Sequence, residues 1–140
     1  MHFELVALLA LSIKHFIVDF PLQAFPYQYK NKGTYGHPGG LLHSGLHAIG
    51  TFIVFMLLFA WVAGPAFGRV SGQALHYSLL LAAADGVIHY HIDWAKMNIN
   101  KKFNLGPTTS EWFWQTLGAD QLLHTLTYIG LVFYMVSQHG

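Results

Sequence analysis

The stretch LLLAAADGVIHYHIDWAK, residues 79–96, joins an apolar run to a cluster of ionisable side chains. Asp85, His89 and Asp93 are spaced four residues apart and therefore share one face of a helix. His91 lies roughly 200° around the helix from His89 and is expected outside that face. Because ionisable groups are costly within a bilayer and mark functional sites there, the stretch predicts a helix whose polar face meets partners from other helices.

The composition is typical of an integral membrane protein. Of the 140 residues, 54% are hydrophobic and only 9% are charged, whereas a soluble domain carries about 25% charged residues. The formal net charge of +1 argues against a nucleic-acid partner. The chain has no cysteine, which excludes disulfides, zinc–thiolate sites and iron–sulfur clusters.

Four apolar segments are long enough to cross a bilayer, which needs about 20 residues. The first has no basic segment before its apolar run, so we expect a retained helix rather than a cleaved signal peptide. The predicted fold is an all-α, four-helix transmembrane bundle that forms a single domain over residues 1–140. The predicted spans are residues 3–22, 41–62, 74–94 and 114–136.

The basic residues of the predicted connections indicate an orientation. Cytoplasmic loops of membrane proteins carry an excess of lysine and arginine. The first and third loops are therefore expected in the cytoplasm, with both termini on the non-cytoplasmic side of the plasma membrane. The basic residues are Lys30 and Lys32 in the first loop, Arg69 in the second, and Lys96, Lys101 and Lys102 in the third.

Each predicted span carries a pair of ionisable residues with i, i+4 spacing. Successive spans alternate in direction, so all four pairs are expected in the cytoplasmic half of the bilayer. Imidazole and carboxylate groups together suit zinc, iron or manganese. We expect one or two divalent ions, most plausibly zinc, although a metal-free proton relay is also open. The pairs are His15 and Asp19, His43 and His47, His89 and Asp93, and Asp120 and His124.

The residue types suggest separate roles around such an ion. Asp19, paired with His15, is the leading candidate for the catalytic base. Lys96 follows Asp93 by three residues and either pairs with it or extends to the membrane edge. The predicted metal ligands are His43, His47, His89, Asp93, Asp120 and His124. Residues expected to support the ligands are Gln23, Asp85, Lys96 and Gln121.

Two further expectations concern helix packing. Lys14 points about 100° away from His15, so we expect it to take part in helix packing or to extend towards the membrane surface. Small residues allow close approach of membrane helices. Close helix contacts are therefore expected at Gly45, Gly50, Gly86, Gly118 and Gly130.

Three functions remain open at this point. The first is a membrane-embedded, metal-dependent hydrolase that acts on a lipid-like or amphipathic substrate in the cytoplasmic half of the bilayer. The second is a divalent-cation or proton transporter or channel. The third is a small structural or accessory subunit of a membrane complex. The lipid bilayer is the expected partner in each case, and a homodimer or larger membrane complex is left open.

The four motifs are HFIVDFPLQ (15–23), LLHSGLH (41–47), HYHIDWAK (89–96) and DQLLH (120–124). Together they resemble a family of small bacterial and phage integral membrane proteins catalogued as a domain of unknown function, with the patterns HxxxDxxxQ, HxxxH, HxxxDxxK and DQxxH. The resemblance covers nearly the whole chain and implies a helical protein of the bacterial inner membrane. Asp85 lies outside the pattern.

The chain is more loosely similar to membrane-bound metal-dependent hydrolases, including the seven-helix ceramidase-like superfamily. Those proteins place histidines and aspartate from several membrane helices around zinc. The similarity favours hydrolysis as the expected activity, although this chain has four predicted spans and a different order of motifs.

Overall fold

Four long helices make up the protein. The computed structural model describes residues 2–24 and 31–138, and these residues contain no β-strand. The all-α prediction is therefore confirmed for this part of the chain. Short 3₁₀ turns follow the first helix at Leu22–Ala24 and the second at Gly64–Ala66. The helices are α1 (Phe3–Asp19), α2 (Pro38–Ala63), α3 (Phe67–Lys102) and α4 (Trp112–Ser137).

The observed helix ends differ from the predicted spans at identifiable residues. Helix α1 ends at Asp19 rather than residue 22, because Pro21 has no backbone N–H and restricts the residue before it. Helix α2 begins at Pro38 rather than residue 41. The side chain of His37 accepts a hydrogen bond from the Gly39 backbone N–H at 3.0 Å, which caps the helix.

Helix α3 is much longer than the predicted span at residues 74–94. It contains 36 residues and extends by about two turns at each end. The predicted second loop shrinks to the turn at Gly64–Ala66, and the polar segment after Lys96 continues the helix. Lys101 and Lys102 in its last turn interact favourably with the negative end of the helix dipole.

The four helices form a ring in which each packs against its neighbours along the chain, and α4 returns to α1. One half of the interior is apolar. It combines the N-terminal half of α1, the C-terminal halves of α2 and α4, and Leu81 of α3. Its buried residues are Ala7, Leu11, Phe55, Leu58, Leu81, Tyr128, Leu131, Val132 and Met135.

Close packing of α2 against α3 depends on Gly86. A Cβ atom at this position would lie 3.0 Å from the Cβ of Ala48 and 3.4 Å from the carbonyl oxygen of Ser44. Gly50 likewise leaves room for the side chain of Lys14. The expected close contacts are wrong at the remaining glycines, where a Cβ would meet nothing within 4 Å: Gly45, Gly118 and Gly130.

The outward faces of all four helices are strongly apolar. One helical stretch, Pro38–Arg69, is long and apolar enough to cross a membrane, with a mean hydropathy of 2.2. Helix α1 has 17 residues, fewer than the roughly 20 that a spanning helix needs. By this test the four-span arrangement stays a prediction. Large exposed apolar side chains include Leu9 (63%), Leu57 (64%), Leu79 (54%) and Phe133 (75%).

Replacing Gly86 by leucine should separate α2 from α3, because the new side chain has no space beside Ala48. We expect Gly86→Leu to lower the free energy of unfolding by about 1–3 kcal/mol. The control is Gly130→Leu, since a Cβ at Gly130 meets nothing within 4 Å. Thermal unfolding followed by circular dichroism in mild detergent measures both variants. Equal unfolding midpoints would contradict the proposed contact.

Candidate metal centre

The half of the bundle opposite the apolar core is filled with ionisable side chains. All nine ionisable residues predicted on the inner helix faces are buried, with exposed fractions between 0% and 8%. The i, i+4 spacing thus places each pair on the inward face of its helix, as the sequence predicts. The nine residues are His15, Asp19, His43, His47, Asp85, His89, Asp93, Asp120 and His124.

Asp19 lies at the centre of this region. Its Oδ1 atom is 3.1 Å from Nε2 of His43, 3.0 Å from Nε2 of His47 and 3.7 Å from Nε2 of His89. The Nε2 atoms of His43 and His89 are 3.2 Å apart. Three helices, α1, α2 and α3, therefore direct one carboxylate oxygen and three ring nitrogens to the same point.

These separations match the distances between ligands of a single metal ion. Zinc binds histidine nitrogen and carboxylate oxygen at about 2.0–2.1 Å, so tetrahedral ligands lie about 3.3 Å from one another. One ligand atom from each of Asp19, His43, His47 and His89 lies within 4.8 Å of the others. This buried group could hold a metal ion.

Asp93, Asp120 and His124 form a second group whose ligand atoms also lie within 4.8 Å of one another. Here lysines already balance the carboxylates. Lys32 Nζ is 2.6 Å from Asp93, and Lys96 Nζ is 2.8 Å from Asp120 and 3.5 Å from Asp93. Of the two alternatives left open for Lys96, the structure shows pairing with Asp93 rather than extension to the membrane edge. Lys32 was expected only as a loop charge, and no spacing in the sequence points to its ion pair.

His15 joins the carboxylate centre to α4. Its Nε2 atom lies 3.1 Å from Oδ2 of Asp19 and 3.2 Å from Oε1 of Gln121, and its Nδ1 atom lies 2.8 Å from the hydroxyl of Tyr128. The amide nitrogen of Gln121 also donates to Asp120 at 3.1 Å. Gln121 therefore contacts both His15 and Asp120, and its role in supporting metal ligands stays a prediction.

Gln23 was predicted in the same supporting role but lies in the turn Leu22–Ala24. Its buried Oε1 atom has no hydrogen-bond partner within the part of the chain that the structure describes. Its neighbours 25–30 lie outside the described residues, so its predicted role stays a prediction.

A buried hydrogen-bond network around Lys14 and Asp85 was not predicted from the sequence. Lys14 Nζ is 2.7 Å from Oδ2 of Asp85, and the same oxygen accepts a hydrogen bond from Thr51 at 2.5 Å. Lys14 also lies 3.2 Å from the hydroxyl of Tyr128. Of the two alternatives expected for Lys14, helix packing is confirmed and extension to the membrane surface is wrong, because its long side chain turns inward across Gly50. Gly50 has no side chain and leaves the space that Lys14 crosses to reach Asp85. It is the one feature of the sequence that indicates this contact.

The position of Lys14 also constrains the ring of His47. An ammonium group can only donate hydrogen bonds, and Lys14 Nζ lies 3.4 Å from Nδ1 of His47. A neutral His47 that accepts this bond carries its proton on Nε2, which points at Asp19. The contact therefore favours His47 as a hydrogen-bond donor that orients Asp19, and leaves Asp19, His43 and His89 as the residues that could hold a metal ion.

Comparison with known proteins adds no assignment. The chain matches no protein-family model, and no curated protein or solved structure is significantly similar to it. The family resemblance carried by the four motifs therefore stays a prediction.

The buried pair of Lys14 and Asp85 allows a double-mutant test of the hydrogen-bond network around them. Removing one partner leaves a buried charge unpaired, so Lys14→Met and Asp85→Leu should each cost about 3–5 kcal/mol of unfolding free energy. The double variant should cost less than the sum, since neither charge remains.

Denaturant unfolding in mild detergent measures all four proteins of this cycle. Lys102→Met removes an exposed lysine and should change stability by less than roughly 0.5 kcal/mol. Additive costs of the two single variants would show that the pair is not coupled.

Proposed function

We propose that this chain is an integral membrane hydrolase that depends on one divalent cation, most plausibly zinc. Asp19, His43 and His89 would bind the cation, and His47 would orient Asp19. The main support for this proposal is that three histidine Nε2 atoms lie 3.0–3.7 Å from one carboxylate oxygen of Asp19. Three protein ligands leave a coordination position for water, as in catalytic zinc sites.

The distribution of lysines supports Asp19 as the position of the cation. Asp85, Asp93 and Asp120 each form an ion pair with a lysine. Among the described residues no lysine forms an ion pair with Asp19, whose contacts are all with histidines. A buried carboxylate without a positive partner is costly, and a divalent cation would remove that cost.

The same distribution supports one ion rather than two. The group of Asp93, Asp120 and His124 offers suitable atoms, but Lys32 and Lys96 already occupy its carboxylates. A second cation there would have to displace a lysine or lie beside it. The dinuclear alternative is therefore less favourable on charge alone.

The apolar outer surface supports a membrane location for the whole bundle. Exposed leucine, isoleucine, valine and phenylalanine side chains cover all four helices, and the nine paired aspartates and histidines of the site face inward. This arrangement suits lipid and would be poorly hydrated in water. The excess of lysine in the first connection and in the last turns of α3 supports a cytoplasmic position for the candidate metal centre, with both termini on the opposite side.

The chemistry of hydrolysis divides between the cation and the protein. A bound zinc ion would lower the pKa of its water towards neutrality. His124 is the better candidate for general base, because its buried Nε2 atom makes no hydrogen bond among the described residues and has a longer contact of 3.5 Å with Asp120. Asp19, predicted earlier as the base, is instead occupied by the ligand histidines through Oδ1 and by His15 through Oδ2.

The apolar half of the bundle favours hydrolysis over transport. A channel or transporter needs a polar path to both sides of the membrane. Here the cluster around Leu11, Phe55, Leu81 and Val132 packs the other half of the interior. A polar path from one side of the bilayer alone would suit an enzyme rather than a transporter. The accessory-subunit hypothesis gives no role to the converging ligand atoms.

Metal content is the first test of this proposal. The protein would be purified in mild detergent without a histidine tag, loaded with zinc, dialysed and measured by elemental mass spectrometry. We expect close to one zinc per chain, and its loss in Asp19→Asn and His89→Ala. His91→Ala, on the exposed face of the same helix, should retain the metal. His47→Ala should retain it with roughly 10–100-fold weaker affinity.

Turnover and flux then separate the enzyme from the transporter. Chromogenic carboxylic esters and phosphodiesters would be tested with metal-loaded protein, and zinc uptake would be followed in proteoliposomes. Turnover that His89→Ala abolishes, without flux, supports the hydrolase. Failure to bind zinc, manganese or iron after reloading would overturn the proposal, and so would zinc flux without turnover of any substrate.

A further inference from the structure

A groove of about 490 Å³ runs between α3 and α4. Its wall is almost entirely apolar and includes Ile88, Ile92, Ala119 and Leu123. This volume lies within the range of small-molecule binding sites, about 300–1,000 Å³. Because the groove opens on the outer surface of two helices with apolar faces, it suits an alkyl chain that enters from the surrounding lipid.

The polar part of this groove belongs to the buried ionisable region. Lys96 and Asp120 line it together with the apolar residues, and their side chains are 2.8 Å apart. Asp120 is in turn 3.5 Å from Nε2 of His124. The groove therefore leads from the surface to the group that contains the candidate base.

A second groove, of about 450 Å³ between α2 and α3, provides a comparison. It is lined by Tyr35, Leu41, Ala48 and Ala83, among others, and includes none of the predicted ligands. Of the two grooves, the one between α3 and α4 thus connects directly with the candidate site.

The charge of the site indicates the chemical class of the group that binds there. Among the described residues, this region contains four aspartates, namely Asp19, Asp85, Asp93 and Asp120, and their lysine partners, namely Lys14, Lys32 and the half-buried Lys96. With neutral histidines this leaves one negative charge. One divalent cation changes the balance to one positive charge, which a singly charged anion would neutralise.

We propose that the substrate is an amphipathic phosphodiester, with its alkyl chain in the α3–α4 groove and its phosphate beside Lys96. A phosphodiester carries one negative charge, whereas a carboxylic ester or amide carries none. This assignment rests on the proposed metal-dependent hydrolase and specifies the bond that it cleaves.

The reaction is a simple hydrolysis. The oxygen of water bonds to phosphorus, and the bond from phosphorus to the leaving alcohol oxygen breaks. The water hydroxyl remains on phosphorus, and the other water hydrogen passes through His124 to the leaving oxygen. The products are a phosphomonoester and an alcohol, and no oxidant or further reactant is needed.

Binding of an analogue whose methoxide is a poor leaving group tests the proposal separately from turnover. Monomethyl dodecylphosphonate, a single-chain monoanion, would be titrated by calorimetry into zinc-loaded protein in a neutral detergent. Methyl tridecanoate, a neutral ester with a chain of similar length, serves as the comparison ligand. We expect the phosphonate to bind at least about tenfold more tightly, because only it interacts with Lys96 and the cation.

Two matched tryptophan variants locate the alkyl chain. Ala119→Trp fills the α3–α4 groove, and Ala83→Trp fills the α2–α3 groove; both alanines are exposed. Ala119→Trp should weaken phosphonate binding roughly tenfold or more, since it excludes several methylenes from the groove. Ala83→Trp should leave binding unchanged. With dodecyl and methyl p-nitrophenyl phosphates, Ala119→Trp should raise KM for the long chain only.

Lys96→Met should weaken phosphonate binding, and Lys96→Arg should restore most of it because the positive charge returns. Zinc content is measured for every variant, so that failures can be told apart. Retained zinc with equal phosphonate affinity in Ala119→Trp and Ala83→Trp would overturn the groove assignment alone. Retained zinc with equal binding of phosphonate and neutral ester would overturn the phosphodiester assignment alone. Absence of zinc, manganese and iron from the wild-type chain after reloading would overturn the proposed function itself.

Discussion

The need to neutralise buried carboxylates is the constraint on which the rest of this structure depends. An unpaired ion in a protein interior costs several kcal/mol, even after the surroundings relax. Three of the four buried aspartates meet this cost with lysines that come from other parts of the chain. Lys14 of α1 reaches Asp85 of α3, Lys32 of the first connection reaches Asp93, and Lys96 of α3 reaches Asp120 of α4. Each ion pair therefore also sets the position of one segment against another.

Helix packing and site construction are separated along the bundle axis. The apolar half supplies non-directional packing, which tolerates exchange of one hydrocarbon side chain for another of similar volume. The ionisable half supplies directional contacts, which require defined partners. Tyr128 marks the boundary, because its ring packs in the apolar cluster and its hydroxyl contacts His15 and Lys14. A shift of α4 by one turn would break these contacts.

The sequence predicts the convergence of the four helices well, because that inference needs only helical periodicity and alternating chain direction. Pairs such as His43 and His47 face inward as their spacing requires. The lysine partners follow no such rule. Lys14 lies off the polar face of its own helix, and a flexible side chain of four methylenes carries its charge back to Asp85. Lys32 lies in a connection, where its position depends on tertiary structure.

The ends of α3 were hard to predict for a related reason. Hydropathy identifies the part of a helix that is apolar, whereas α3 continues into polar sequence at both ends. Asn98 shows what stabilises one such extension: its side-chain amide donates to the carbonyl oxygen of Gly33 at 3.0 Å. That bond joins the helix to the first connection, so the extension depends on a tertiary contact that no local pattern contains.

The buried polar atoms that lack a partner in this region indicate where a ligand could bind. Proteins satisfy most of their buried polar groups and depart from this rule mainly at functional sites. Among the described residues, most buried side-chain atoms without a hydrogen-bond partner belong to the ionisable half, including Nδ1 of His43, Nδ1 of His89 and Nε2 of His124. No lysine of the described residues pairs with Asp19, although the three other buried aspartates each have a lysine partner. Asp19 contacts histidines instead. The position beside Asp19 therefore suits a cation from outside the chain.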